Sequence, residues 1–328
     1  MAARGRHVFV WTALASALGL AGCGQPPAPP AEPPRPAAVV LAPPAPRPEP
    51  SPRRDDPPLR DAPLATSEEL SRRYQLMETR LIGRGFLRDD GGDISALTAG
   101  DLATNFLRIA LFDEYTTLDG QLVPQESVSR LRRWDAPVRI EPVFGASVPE
   151  PQRAADRAEI GSLAASLQDL SGHPVGLTDS GGNFFVYVVS EAERLALRPD
   201  LRSRVPGITD AVMTSMLDIL PSTFCLVVAF STPEAPQTYT HAVAIVRAEH
   251  PPRLRSSCFN EELAQGLGLA NDSRAARPSI FNDDEEFALL TRQDRLLVRM
   301  LCDPRLRPGM GLAEAEAPVR TIAAELIS

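Results

Sequence analysis

The sequence predicts a single α+β domain, and three observations carry the prediction. From Thr66 to Ser328, apolar residues at helical spacing alternate with short runs rich in β-branched and aromatic residues. The last third is mainly helical, and no internal repeat is evident. Hydrophobic residues make up 43% of the 328 residues and charged residues 23%, enough for a substantial core.

Each element has a local reason. A first helix starts near Ser67, with Glu68 and Glu69 in its first turn, Leu70, Tyr74, Met77 and Leu81 at helical spacing, and Gly83 and Gly85 at its end. A second starts near Thr98, with Asp101 three residues on and Phe106, Ile109 and Ala110 as its apolar face. Asp119-Gly120 marks a turn. Val138 to Glu141 reads as a short strand, and Pro137 and Pro142 on either side make it an edge. Arg153 to Leu170 is a long helix that buries Ile160, Leu163, Ala164, Leu167 and Leu170. Phe184 to Val189, Phe224 to Phe230 and Thr240 to Arg247 are strands, the last with weak alternation. Helices follow over Glu261 to Gly268, Arg292 to Leu301 and Leu312 to Ile327.

What precedes the domain reads as an address and a spacer. Arg4 and Arg6 followed by the apolar run Val8 to Ala21 form a secretory signal, too short for a comfortable membrane span. The run ends Leu20-Ala21-Gly22-Cys23, which resembles a bacterial lipobox with Cys23 as the lipidation site. An ordinary secretory signal and an uncleaved anchor helix are the plainer readings. Gly24, in place of Asp, implies by resemblance to Gram-negative sorting the periplasmic face of the outer membrane. Each buried methylene of a lipid contributes about 0.8 kcal/mol of anchoring. Gly24 to Ala65 holds 16 of the 33 prolines and no aromatic residue, so it is expected to be a disordered linker. Extended, it could reach on the order of 100 Å. A proline-rich recognition ligand is the competing reading.

Charge and composition exclude several chemistries. All 34 basic residues are Arg, which removes lysine nucleophiles, Schiff bases and the P-loop. Net charge is −8, and the region from Thr66 carries 27 Arg against 37 acids. That argues against nucleic acid as a partner. The four His and four Cys lack zinc-finger or cluster spacing, and no Gly-x-Ser-x-Gly elbow is present. Whether two carboxylates stand at a glycosidase separation is a spatial question that one sequence does not answer.

The informative stretch runs from Cys258 to Met310. Zinc peptidases place two His at i and i+4 on one helix face, with a Glu beside the first to activate water. In metzincins a Gly then bends the chain, a third His closes the site, and a Met turn forms a floor. Here Glu262 falls on the catalytic Glu, Gly268 on the bend, and Asp272 on an acid after the third ligand. The ligand positions hold Glu261, Gln265 and Asn271, and Phe281 stands at the Met. The segment therefore resembles a metzincin-like, zincin-type scaffold without its zinc ligands, and no cofactor is expected. A divalent metal on an oxygen-rich site is the alternative.

A closer resemblance rests on Cys258, Glu261-Glu262, Gln265, Leu267-Gly268, Asn271-Asp272, Ser279 to Asp284, Leu290-Thr291 and Asp303-Pro304-Arg305-Leu306 to Gly309-Met310. Tyr115, the Trp134 to Phe144 region and the Pro-rich lipoprotein start add to it. Together these resemble a proteobacterial lipoprotein family, domain-of-unknown-function family 2927, over most of residues 70–328. The resemblance implies that the missing His are a trait of the family. It implies a fold and an address, and no reaction.

Each candidate also has a plainer reading. Glu261 and Glu262 follow Asn260, an N-cap type, and acids in a first turn complement the helix dipole. Gln265 can pair with either Glu on their shared face, and Asn271-Asp272 can cap or turn. Asp283 to Glu286, four acids in a row, reads as a solvated loop, with a calcium site as the sharper alternative. His173, His241 and His250 show no ligand spacing. Of the mature cysteines, Cys225 and Cys258 are expected to pair, leaving Cys302 apolar in its helix; other pairings stay open.

The expected function is a non-catalytic, pseudopeptidase-like binding or scaffold module of the envelope. It is held to the membrane by a lipid and takes a peptide or envelope protein as partner. Candidate binding residues are Gln265, Asn271, Asp272, Asp283 and Asp284. The alternative is a metal-dependent hydrolase with Glu261 or Glu262 as its general base. A sugar-binding module is a third class, disfavoured by an aromatic content of only 5%.

Overall fold

The computed structural model describes residues 66–118, 121–282 and 284–328. The signal, Cys23, the linker, the Asp119-Gly120 turn and Asp283 lie outside the described residues. Among the described residues, no helix is long and apolar enough to cross a membrane.

The fold is mixed α/β, with a parallel sheet that one antiparallel strand closes at an edge. In chain order the elements begin with α1 (Ser67–Gly83) and α2 (Ala99–Ala110). Strands β1 (Phe112–Leu118) and β2 (Gln121–Val128) pair with each other as a separate antiparallel hairpin. The main sheet draws on β3 (Arg133–Trp134), β4 (Val138–Phe144), β5 (Val175–Leu177), β6 (Phe184–Val189), β7 (Cys225–Thr232) and β8 (Ala235–Arg247). Helix α3 (Glu150–Ser171) crosses from β4 to β5, and α4 (Glu191–Leu195), α5 (Arg198–Arg204) and α6 (Asp210–Leu217) fill the interval before β7. Helix α7 (Pro252–Leu267), a 3-10 turn (Ile280–Asn282), α8 (Arg292–Leu301) and α9 (Leu312–Ile327) complete it. Across the sheet the order is β5, β4, β6, β8, β7, with β3 beside the start of β8. Only β7 runs antiparallel to its neighbour.

Strands in the middle of this sheet are buried on both faces. Phe184, Val186 and Val188, with Ala242, Ala244 and Val246, face a large core shared with α2, α3, α7, α8 and α9. Phe185, Tyr187, Val189, Val243 and Ile245 face a smaller core roofed by Leu201 of α5 and Met213, Met216 and Leu217 of α6. This two-sided burial explains why β8 alternates so weakly in sequence.

The first two helices begin where the sequence predicts. Thr66 with Glu69 and Thr98 with Asp101 form reciprocal capping boxes. Helix α3 starts earlier than its apolar period indicates, behind Pro149 as its N-cap.

Three expectations are corrected. Val138 to Glu141 belongs to a central strand, parallel to β5 on one side and β6 on the other. Pro142 is tolerated there for a simple reason. Arg139 N and Gly145 N both point to the β6 side, donating to Asn183 Oδ1 at 2.7 Å and Val188 O at 2.9 Å. Residue 142, of opposite parity, turns its missing N–H to the β5 side, where β5 has already ended at Leu177. Second, α7 begins at Pro252 behind Pro251 rather than at Glu261. Asn260 is therefore no cap; its Nδ2 donates to Ser256 O and its Oδ1 accepts from Leu290 N. Third, Cys302 is the C-cap of α8 and only half-buried, not an apolar position inside the helix.

A buried ion cluster ties the sheet to the segment that delivers β7. The Glu191 carboxylate pairs with Arg194 and Arg247, both almost fully buried. The two guanidiniums donate onward to the carbonyls of Leu217 and Leu220. Breaking one partner strands a buried charge, so Arg247→Met is expected to lower stability by about 3–5 kcal/mol in urea denaturation.

A second carboxylate gives a pH signature. Partial burial opposes the charge on Glu193, but donors from Ser190 and Ser147, backbone and hydroxyl, hold its carboxyl down to about 2. A depressed folded pKa stabilises above the unfolded value and is lost as pH falls through the folded one. Glu193→Gln should therefore flatten the loss of stability between pH 5 and 2. Since the group is largely solvated, the screened effect is about 1 kcal/mol, read from urea midpoints across that range.

Candidate binding cleft

Helix α7 approaches the sheet closely, and that approach builds the site. A Cβ at Gly266 would stand 2.4 Å from the Phe184 ring, so only glycine fits. The carbonyl of Gly266 accepts the Trp134 indole N–H at 2.8 Å, and Trp134 stacks on Phe184 with centroids 6.3 Å apart. The disulfide Cys225–Cys258, expected from the sequence, joins the first residue of β7 to the middle of α7, with Cα atoms 5.8 Å apart. Gly268 then ends the helix at φ +138, where a Cβ would meet Arg132 O at 2.4 Å.

Because α7 starts at Pro252, Glu261 and Glu262 lie in its third turn. The first-turn dipole account of these two acids therefore fails. They sit one turn beyond the disulfide, and their carboxylates and Cys225 Sγ all lie within 4.8 Å of one another. Glu262 is 3% exposed and Gln265 7%. Gln265 Nε2 donates to Asp272 Oδ1 at 3.1 Å.

The remaining expected residues separate into other arrangements. Asn271 donates from its backbone N to Ile109 O and from Nδ2 to Arg108 O, both at 3.0 Å, and to Glu126 Oε2 at 3.3 Å. It thus satisfies the last carbonyls of α2. Asp284 pairs with Arg277, which also binds Glu286, and Glu286 continues to Arg88. Arg277 and Arg88 therefore compensate Asp284 and Glu286 of this acidic loop. Phe281 is fully buried in the 3-10 turn, which Asp294 holds through Ser279 Oγ at 2.5 Å and Ile280 N at 3.0 Å. His173 bonds Ala136 O, His241 lies on β8, and His250 packs edge-on to Tyr74. Burial pushes the Cys302 thiol up, away from nucleophilic use.

A cleft of about 420 Å³ opens between β7 and the β1–β2 hairpin. Val227 to Ser231 form one wall, Asp113, Glu114 and Tyr115 the other, and Gln265 and Ala270 contribute from below. Five consecutive residues of β7 line it because the wall is the edge of the strand and not one face. Ala242 N donates to Asn183 O, toward β6, so Val243 and Ile245 turn toward β7 and bond Val228 and Leu226. Val227 and Ala229 accordingly direct their N–H and C=O into the cleft. Opposite, Asp113, Glu114 and Tyr115 of β1 all border the cleft, beside a register shift in which Gln125 and Glu126 of β2 stand against Glu114 alone.

The cleft is acidic. Tyr115 keeps 37% exposure as a residue, but its phenol end is desolvated, which pushes its pKa well above the usual value. Glu114, Glu262 and Asp272 add to that push. Arg132, the cation in the lining, pairs with Asp113 and bonds Ser129 Oγ.

A zinc ion does not fit these residues. Asn271 and Gln265 offer only neutral amide oxygens, which are weak zinc ligands, and Cys225 is oxidised. Two carboxylates remain, without imidazole or thiolate, which is a poor zinc set.

Sequence reasoning missed the hairpin, α6 and the role of Tyr115 at this cleft. Asp119-Gly120 between two strand-length segments was the available signal, since that dipeptide is a strong hairpin marker.

Residues 99–321 match the family model described as a protein of unknown function (DUF2927). The chain belongs to this family. The DUF2927 match runs from the start of α2 into α9 and so contains both walls of the cleft. No curated protein and no solved structure matches the chain.

The disulfide fixes the end of the cleft in this DUF2927 domain. It spans 33 residues, so Cys225→Ser/Cys258→Ser is expected to cost about 3–4 kcal/mol of stability. Urea denaturation of the variant beside the wild type, without reductant, checks this.

Proposed function

We propose that the domain is a non-catalytic binding module that captures an extended peptide by strand addition to β7. The observation that carries this reading is the outward-facing peptide groups of Val227 and Ala229 along a cleft. An exposed strand edge gives main-chain hydrogen bonds, and the adjoining lining gives side-chain selectivity. The parent scaffold on this reading is a zincin-type peptidase. Three features support that ancestry: a helix carrying Glu261, Glu262 and Gln265 below an edge strand, a chain bend at Gly268, and a buried Phe281 turn beneath. The donor chemistry speaks for a pseudoenzyme, since the ligand positions make hydrogen bonds within the protein instead. On the same reading the Leu20 to Cys23 motif places the module on the periplasmic face of the outer membrane by a lipid on Cys23.

The test is selection of a phage-displayed random dodecapeptide library on the full-length chain. Enriched peptides should bind the wild type and lose at least about ten-fold in affinity to Ala229→Pro. That change removes an outward N–H but no bond to β8, so the thermal midpoint should hold. Val228→Pro removes a ladder bond and should destabilise the fold instead. Failure to enrich any peptide overturns the reading. Cleavage of enriched peptides, abolished by Glu262→Gln, would favour the hydrolase with a glutamate base.

A further inference from the structure

We infer that the Cys225–Cys258 junction is a redox-gated zinc site. Once a dithiol opens the disulfide, the two thiolates, the His250 imidazole and a carboxylate of the Glu261–Glu262 pair hold a zinc ion. The inference stands apart from the strand-addition reading. Its ground is the set of donors around the two sulfurs. Cys258 Sγ lies 3.7 Å from His250 Nδ1. Cys225 Sγ and the Glu261 and Glu262 carboxylates all lie within 4.8 Å of one another. In a tetrahedral zinc site, bonds of about 2.0–2.3 Å put neighbouring donors about 3.3–3.8 Å apart. The Cys258–His250 pair already stands at that separation, and the carboxylates need only a small closure. The imidazole is held in place: it is buried, Tyr74 and Phe224 pack edge-on to it, and Arg255 donates to the His250 carbonyl.

The oxidised pair offers no thiolate, and opening it supplies the donors that zinc lacks here. Cys225 is half-buried and Cys258 is buried, so Cys225 is the side a reductant reaches. A thiolate of the dithiol attacks Cys225 Sγ, and the S–S bond breaks with its electron pair leaving on Cys258 beside His250. The second thiol of the reductant then displaces Cys225 from the mixed disulfide. The dithiol becomes a disulfide and gives up two protons. Zinc takes both protein thiolates, so those protons pass to solvent. Cα atoms 5.8 Å apart let the sulfurs part by side-chain rotation while β7 and α7 stay in place. Burial disfavours bare thiolates and so favours a cation between them. Two thiolates, an imidazole and a carboxylate suit zinc, whereas calcium and magnesium take oxygen donors. Four protein donors leave no open position, so the ion acts as a staple and not as a catalyst. It replaces the covalent link between β7 and α7 by a coordinate one.

The test uses the full-length chain carrying Cys23→Ser and Cys302→Ser, so that Cys225 and Cys258 are its only thiols. The chain is reduced with dithiothreitol, freed of reductant under nitrogen, and titrated with cobalt(II) chloride and then zinc chloride. Thiolate-to-cobalt charge-transfer absorption should saturate at about one ion per chain, and zinc should abolish it. The oxidised chain should bind zinc at least about 100-fold more weakly. Zinc should raise the thermal midpoint of the reduced chain by about 5 °C or more and leave the oxidised chain unchanged. His250→Gln, and separately Glu261→Gln/Glu262→Gln, should each weaken zinc about ten-fold or more while the charge-transfer band persists. The carboxylate variant tests the donor set even where His250→Gln fails to fold. A reduced chain that takes up no more metal than the oxidised one would overturn the site. So would a loss of near-ultraviolet circular dichroism on reduction that zinc does not restore. Unchanged zinc affinity in the variants would overturn the donor assignment.

Discussion

The contact between α7 and the sheet at Gly266 is the constraint on which the cleft depends. A helix carrying any side chain at that point would be pushed off Phe184, and the Trp134 indole would lose its carbonyl acceptor. The disulfide fixes the same helix to the start of β7 about two turns earlier. Two attachments on one helix define its rotation as well as its distance. Glu261, Glu262 and Gln265 consequently sit beneath β7 as a result of packing, and no ligand is needed to hold them there.

The wall of the cleft is held from the opposite side of the sheet. Arg194 and Arg247 grip the carbonyls of the segment leading into β7, and Glu191 pairs with both. The hairpin wall is built differently. It belongs to a separate two-stranded sheet, packs on α6, and is tied to the body through Arg132 to Asp113 and Asn271 to Glu126. One wall is therefore continuous with the core of the domain, and the other is attached by polar bonds. Such a division suits a groove that takes an extended chain, since the hydrogen-bonding edge stays fixed while the facing side chains adjust.

Legibility in the sequence followed the reach of the physics involved. Helices capped by Thr66, Thr98 and Thr291 were readable because a capping box acts within four residues. The strands Phe184–Val189 and Cys225–Thr232 were readable from composition. The start of α7 was not, because Arg253, Arg255 and Ser257 mask its period; Arg255 is buried with its guanidinium bonded to His250 O and to Asp156 on α3, the latter a contact 99 residues away. The central place of β4 was hidden by Pro142, whose tolerance depends on where β5 stops. The helix face of Glu261, Glu262 and Gln265 was legible from i, i+4 spacing, and so was the Cys225–Cys258 pair. The register shift of the hairpin and the edge at Val227 and Ala229 were not, since both depend on inter-strand register.

The fate of the three ligand positions connects stability with the functional reading. A metal-binding side chain must keep a lone pair directed at an empty point, and such a site is costly to hold without its ion. In this chain Asn271 closes the C-terminal carbonyls of α2, and Gln265 ties α7 to Asp272. Glu261 adds charge beside Glu262. The Asn271 and Gln265 side chains thus make bonds between elements. Glu261 adds to the negative potential beside a cleft whose lining residue Arg132 is paired with Asp113. Asn271→His alone would therefore unfasten α2. On the proposed reading, the groups that once would have polarised a substrate carbonyl now hold the groove open and charged, and the free edge of β7 is left as the part that engages a partner.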